Sequence, residues 1–265
     1  MDLMRRAALY IVSAGFAAAL AVSGCSRASD PFEEIERLAA GETGRVVRVI
    51  DGDALVLSTG QSVRLIGIEA PAGPSRGRPA EPGFEAAKRM LEDMSLGREV
   101  QLRYAGLTRD RYDRALAHLI TVDDLGPKLW LNAEMVRRGG ARVRVYPDTA
   151  DASAPLVALE QAARETRVGL WARNEWAITD ASQLPDRFGG FQLVLATTSG
   201  MQGSDQPGYS CDVLLERSVL VLNIRPSAAE LCQLPPDTEV LARGFVRDQG
   251  MEISHPLNLQ RLDEP

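Results

Sequence analysis

Residues 63 to 71, VRLIGIEAP, place an arginine, Arg64, five positions ahead of an acid, Glu69, with an apolar run between them and a proline behind. An arginine and a carboxylate carried by one strand and the loop after it can hold a phosphate and a hard cation. The planar guanidinium forks onto two phosphate oxygens, and the carboxylate supplies oxygen ligands to a metal. A second acid, Asp53, stands in VIDGDAL (49 to 55), and a second guanidinium, Arg114, closes DRYDR (110 to 114). These groups do joint chemistry only if the fold draws them to one place.

The elements that must do so are legible as patterns. RVVRVI (45 to 50), ALVLS (54 to 58) and SVRLIGI (62 to 68) are short β-rich runs separated by DGD and TGQ, which are hairpin signals. Phe84, Ala87, Met90, Leu91 and Met94 recur at helical spacing, with Gly97 placed to stop the helix. REVQLRYA (98 to 105) and ALAHLITV (115 to 122) predict two further strands. Five strands with one helix between the third and fourth is the order of a small closed barrel of the OB type. Helices over 129 to 140 and 154 to 171, flanking a short strand ARVRVY (141 to 146), complete this unit.

The predicted fold is therefore mainly β with α: an OB barrel with three helices over 45 to 172, then a linker over 173 to 188. A second small all-β domain follows over 189 to 265, with another OB-like barrel as its candidate architecture.

The first residues put Arg5 and Arg6 ahead of an apolar run from Ala7 to Val22. That run falls short of the roughly 20 apolar residues of a bilayer span and reads as an export signal over 1 to 24. VSGC (22 to 25) resembles the lipobox of bacterial lipoproteins. The resemblance implies lipidation of Cys25, a tether over 25 to 44 carrying a short helix from Pro31 to Ala40, and residence on the periplasmic face of an envelope membrane. Ser26 points to the outer one. Export puts Cys211 and Cys232, 21 positions apart, in an oxidising compartment; they are either a disulfide staple or two small core residues.

Charge divides unevenly. Residues 45 to 146 carry 17 Lys and Arg against 13 Asp and Glu, net +4, whereas 147 to 265 carry 9 against 17, net −8. The first balance permits a phosphate-bearing substrate without forming the basic stripe of a dedicated nucleic-acid binder. The second argues against a nucleic-acid surface at the C-terminal domain and for a protein partner, or packing within the chain, there.

VIDGDAL, VRLIGIEAP, DRYDR and ARETRVGLWA (163 to 172), in that order, resemble the staphylococcal nuclease (thermonuclease) family over about 125 residues. The resemblance implies a calcium-dependent phosphodiester hydrolase acting on single- or double-stranded DNA or RNA. It places Asp53, Glu69 and the main-chain carbonyl of Ala70 as calcium ligands, and Arg64 and Arg114 as catalytic arginines. Arg111 and Tyr112 would line the nucleotide side, with Tyr146 a candidate stacking aromatic. Glu69 stands where the family usually has aspartate. Asp113 replaces a common glycine and would set a negative charge beside the phosphate.

One departure bears on activity. The family motif continues to a glutamate that activates the attacking water, and here that position is Ala72, which cannot accept a proton. Two acids follow, and the long loop AGPSRGRPAEPG could fold either of them back to replace it; otherwise Glu81 reads as a solvated loop charge and Glu85 as a first-turn acid beside a helix N-terminus. His118 and His255 read as structural. The alternatives are thus a weakened nuclease and a non-catalytic envelope lipoprotein of the same fold that binds nucleic acid or protein.

Overall fold

The computed structural model describes residues 31 to 75, 77 to 184 and 189 to 262. The export signal and Cys25 lie outside them. No helix among the described residues is long and apolar enough to cross a membrane.

A short helix α1 (Pro31–Glu36) leads into β1 (Ala39–Asp51), a strand of 13 residues. Residues 39 to 44, expected as tether, are the first half of that strand: Ala39 pairs with Tyr104 and Arg45 with Glu99. Their small and polar composition hid them, because edge pairing draws on backbone groups that every residue carries. The second half pairs with β2 (Ala54–Leu57), which pairs with β3 (Ser62–Leu65). After β4 (Ile68–Glu69) and α2 (Phe84–Ser95) come β5 (Glu99–Tyr104) and β6 (Ala115–Thr121). The barrel closes in the order β1-β2-β3-β6-β5, with β3 and β6 parallel. This is the predicted OB ring, and its alternating inward residues, Leu55, Val63, Leu65, Val100, Leu102 and Leu119, are fully buried.

Helix α3 (Leu131–Arg137) is pinned by a buried amide: Asn132 accepts from the Leu119 N–H (3.0 Å) and donates to the Ile66 carbonyl (2.8 Å). Strand β7 (Arg142–Val143) pairs with β4, and α4 (Ala154–Glu165) packs on α3. His118 is structural, as expected. Trp130 Nε1–H donates to its Nδ1 (3.3 Å), and its Nε2 faces the Asp151 carbonyl (3.3 Å). Burial pushes its pKa down to about 4. A histidine buried neutral contributes fully above its unfolded pKa of about 6.5, and that contribution drains away as pH falls toward 4, a loss of roughly 3 kcal/mol. The imidazole should therefore stay neutral by NMR at pH 5.5; a protonated ring there would contradict this account.

The described part of the expected linker, residues 173 to 184, is packed rather than free. Trp176 is buried and donates to the Pro82 carbonyl (3.2 Å), and β8 (Thr179–Asp180) pairs with the next strand. That strand, β9 (Gly190–Gly203), opens a second barrel with β10 (Cys211–Leu215), β11 (Val221–Ile224), β12 (Glu239–Arg247) and β13 (Gly250–Ile253); β14 (Leu259–Arg261) extends β12. β9 pairs with both β10 and β12, and β11 runs parallel to β13, so the ring closes as β9-β10-β11-β13-β12. That repeats the connectivity of the first barrel strand for strand. A 3-10 segment (Pro226–Gln233) stands where the first barrel has α2, and Cys232 within it is disulfide-bonded to Cys211.

The two barrels share a core. Phe191, Leu193 and Leu241 belong to the same buried cluster as the first barrel's interior. Across this seam Glu160 accepts from Arg243 Nη1 (2.6 Å) and from the Val143 N–H (2.7 Å), with both side chains fully buried.

Candidate active site

The site forms where three turns meet at one end of the first barrel. Asp53 follows Gly52 in the β1–β2 turn. A Cβ on Gly52 would lie 2.6 Å from that of Ala70 and 2.8 Å from that of Ala87, so only glycine lets this turn close against the β4 exit and α2. The carboxylate of Asp53 is thereby driven inward. It accepts the Ala70 N–H (2.7 Å) on one oxygen and Arg64 Nη1 on the other. Arg64 Nη2 donates to Glu69 Oε2 (2.8 Å). The two acids therefore face the same guanidinium, as their proposed joint role requires.

Arg114 is braced separately. Its Nε donates to Asp110 Oδ2 (2.7 Å), while Asp110 Oδ1 accepts the main-chain N–H groups of Tyr112 (2.9 Å) and Arg114 (3.0 Å). Burial opposes the Asp110 charge, but these donors outweigh it and hold its carboxyl below the ordinary aspartate range. Arg64, Glu69, Asp110 and Arg114 line one cavity of about 400 Å³. Both arginines thus serve a single cleft.

A third guanidinium enters it that residue types alone did not single out. Arg144 immediately follows β7, lines the same cavity and donates from Nη1 to Glu69 Oε2 (2.8 Å). Arg142 and Arg144 alternate in ARVRVY, a pattern that puts both on one side of an extended segment. Tyr146 lines the cavity too, with Arg144 Cζ 4.4 Å from its ring centre.

Arg111 and Tyr112 sit beside Arg114 rather than in the cavity lining. Tyr112 is two-thirds exposed, has Arg111 Cζ at 4.8 Å and Arg114 Cζ at 5.7 Å from its ring centre, and lines a separate rim pocket with Gln61 and Asp113. Asp113 needs correction. Its side chain is 91% exposed and reaches toward Arg109 (3.9 Å), away from the main cavity. Its backbone φ of 61° is the left-handed region, which explains why glycine suits this position and why aspartate can replace it.

The electrostatics are those of a site rich in acid. Burial pushes the Asp53 carboxyl well up against the pull of Arg64, and the charges of Asp51 and Glu69 add to that push. Burial works against the Arg64 charge, but Asp53, Glu69 and Asp51 more than offset it. Among the described residues no group of three or more His, Cys, Asp or Glu side chains is arranged to hold a metal. The donor chemistry nonetheless suits a hard cation. Asp53 and Glu69 offer only oxygens, and Glu69 Oε1 makes no hydrogen bond among the described residues.

The Ala72 position carries a finding of its own. Ser75 and Arg78 exchange main-chain hydrogen bonds (3.1 and 2.9 Å), making a small hairpin that returns the chain to Ala72. There the Glu81 N–H donates to the Ala72 carbonyl (2.9 Å), and Glu81 Oε2 accepts the Ala72 N–H (3.0 Å). Glu81, expected to be a solvated loop charge, is therefore anchored at the position that lacks an acid. Its charge reaches Arg142, where burial lowers the guanidinium pKa and Glu81 and then Glu69 oppose that fall. Glu85 lies in the first turn of α2, as expected.

Fold and cavity together define an OB barrel with paired carboxylates and guanidinium groups at its mouth. Residues 62–173 match the model of the staphylococcal nuclease homologue family. The chain is 28% identical over 146 residues to a thermonuclease of Staphylococcus intermedius, covering 54% of this chain and 84% of the relative. It is 32% identical over 138 residues to an uncharacterized endonuclease of Escherichia coli, covering 51% and 80%. A probable endonuclease of Botryotinia fuckeliana is 30% identical over 113 residues, 42% of each chain. The chain belongs to the staphylococcal nuclease homologue family.

Proposed function

We propose that the protein hydrolyses phosphodiester bonds of nucleic acid at the mouth of its first barrel, more slowly than a family member with an acid at position 72. The observation that carries this reading is the convergence of Arg64 and Arg114 on one cavity, each guanidinium locked by its own carboxylate. Two fixed forks can take the oxygens of a diester and oppose the charge that gathers on them during displacement. Asp53, Glu69 and the Ala70 carbonyl would hold calcium, which when bound would polarise a phosphoryl oxygen and offset charge.

Glu81 takes the part of the missing base in this reading. Its Oε2 is spent on Ala72, and its Oε1 makes no hydrogen bond among the described residues, so that oxygen can receive a proton from the attacking water. With single-stranded DNA and calcium, Glu81→Gln should lower turnover about 10²-fold, and Ala72→Glu should raise the parent rate. Unchanged turnover in Glu81→Gln would remove Glu81 from the mechanism. If the parent and Ala72→Glu are both inert, the missing acid at 72 is not the main defect, and the second reading holds instead: a non-catalytic binder of nucleic acid or protein on the same fold.

Lipidation of Cys25 and residence on an envelope membrane belong to the same proposal and rest on the sequence VSGC. Cys25→Ala should move the protein from the membrane to the soluble fraction; a parent protein that is itself soluble would rule the anchor out.

A further inference from the structure

The second barrel carries a cavity of about 350 Å³ that touches the first barrel's site through one residue. Arg144 lines both cavities. Its Nη1 is on Glu69 at one side, and its Cζ lies 4.3 Å from the ring centre of Phe245, on β12, at the other. The rest of the lining combines the loop before the second strand and one residue of the third strand, on the side where OB barrels commonly take single strands, with the ends of the fourth and fifth strands and the turn between them. Gln206 and Tyr209 are in the loop before β10, the second strand of this ring, and Asn223 is in β11, the third. Arg247 ends β12, next to the turn into β13.

These residues have the chemistry of a nucleotide subsite. The Tyr209 ring is held by Arg225, 4.4 Å from its centre, and by a hydrogen bond from its hydroxyl to Glu252 (3.0 Å), so it meets a ligand already oriented. Arg247 is exposed and makes no ion pair among the described residues. The Gln206 side-chain amide makes no hydrogen bond among them either, which leaves a donor and an acceptor for a base edge. Arg144 and Arg247 in the lining are balanced by Asp248 and Glu252. The subsite therefore holds its ligand by stacking and hydrogen bonds, with Arg247 as the one free cation of its lining among the described residues, and works against the acidic balance of this half of the chain.

We propose that a single strand held by its phosphodiester in the first cavity continues past Arg144 into this second cavity, where Tyr209 stacks a base and Arg247 meets a phosphate. The inference rests on the nucleic-acid reading above, and the experiment separates the two. Binding is measured by fluorescence anisotropy for a dinucleotide, which fills the first cavity alone, and for a single-stranded DNA of roughly ten nucleotides, within the span an OB barrel covers.

Tyr209→Ala and Arg247→Glu should each weaken the longer ligand about tenfold and leave the dinucleotide unchanged. Arg247→Glu should also flatten the slope of log affinity against log salt by about 0.7, the loss of one phosphate contact. Arg247 is exposed, so that variant keeps its fold even if Tyr209→Ala does not. Parent-like binding of the longer ligand by Arg247→Glu, at every salt concentration, overturns the proposal while leaving the first cavity's role intact. A parent that binds neither ligand overturns both.

Discussion

Arg64→Lys should lose about 10³-fold in turnover on single-stranded DNA with little change in melting temperature, and Arg64→Ala should lose at least as much. The reason is geometric. Arg64 spends one Nη on Asp53 and the other on Glu69, and those two anchors fix the plane of the remaining N–H groups toward the cavity. A lysine keeps the charge but has no plane to fix, so it can pair with one carboxylate and still fail to present a fork to the diester. A preorganised donor aimed at developing charge is worth about 3 to 4 kcal/mol, and an arginine at a phosphoryl group the same or more. The comparison is between kcat and KM: a change confined to KM would mean that Arg64 only binds the ground state, and the catalytic role given to it here would fall.

The second large effect concerns stability and lies at the seam between the barrels. Glu160→Ala should destabilise the protein by about 3 to 5 kcal/mol, because it strands the Arg243 guanidinium in a dry interface. Arg243 is fully buried, and among the described residues its Nε and Nη2 have no hydrogen-bond partner, so Glu160 is the group that makes its charge tolerable. Glu160 has a second task, accepting the Val143 N–H of β7, the strand that leads to Arg144. A double variant, Glu160→Leu with Arg243→Met, should recover part of the loss, since an apolar pair of similar volume removes both desolvation costs at once while the Val143 N–H still lacks its acceptor. Urea unfolding of Glu160→Leu, Arg243→Met and the double gives the coupling directly. If the losses simply add, the pair is not what holds the barrels together.

Much of the first barrel was readable because each of its signals is local. DGD and TGQ are hairpin turns wherever they occur, the alternation in SVRLIGI buries one face of a strand, and Phe84 to Met94 mark one face of a helix. The candidate roles of Asp53, Arg64, Glu69 and Arg114 were legible from short pieces in a familiar order, whereas the pairing of Arg114 with Asp110 was not. The first half of β1 was not, because AAGETG has no periodic apolar face; it becomes strand only through β5 beside it. Residues 173 to 184 carried turn-like composition, and Trp176 is buried there by contacts with Arg142 and the Pro82 carbonyl, neither of which is near it in sequence.

By itself, then, the amino-acid order determined the strands and helices that carry a periodic apolar face, the chemical types at the barrel mouth and the absence of an acid at position 72. Tertiary structure alone decided that Glu81 comes back to that position, that Arg144 joins Arg64 on Glu69, and that the second barrel closes into the same ring as the first and shares its core. The physical reason is range. Propensity and periodicity act over a few residues and are written into composition. The placing of a side chain from 81 at 72, or from 144 at 69, depends on a backbone pairing whose partners become neighbours only after the chain has closed on itself.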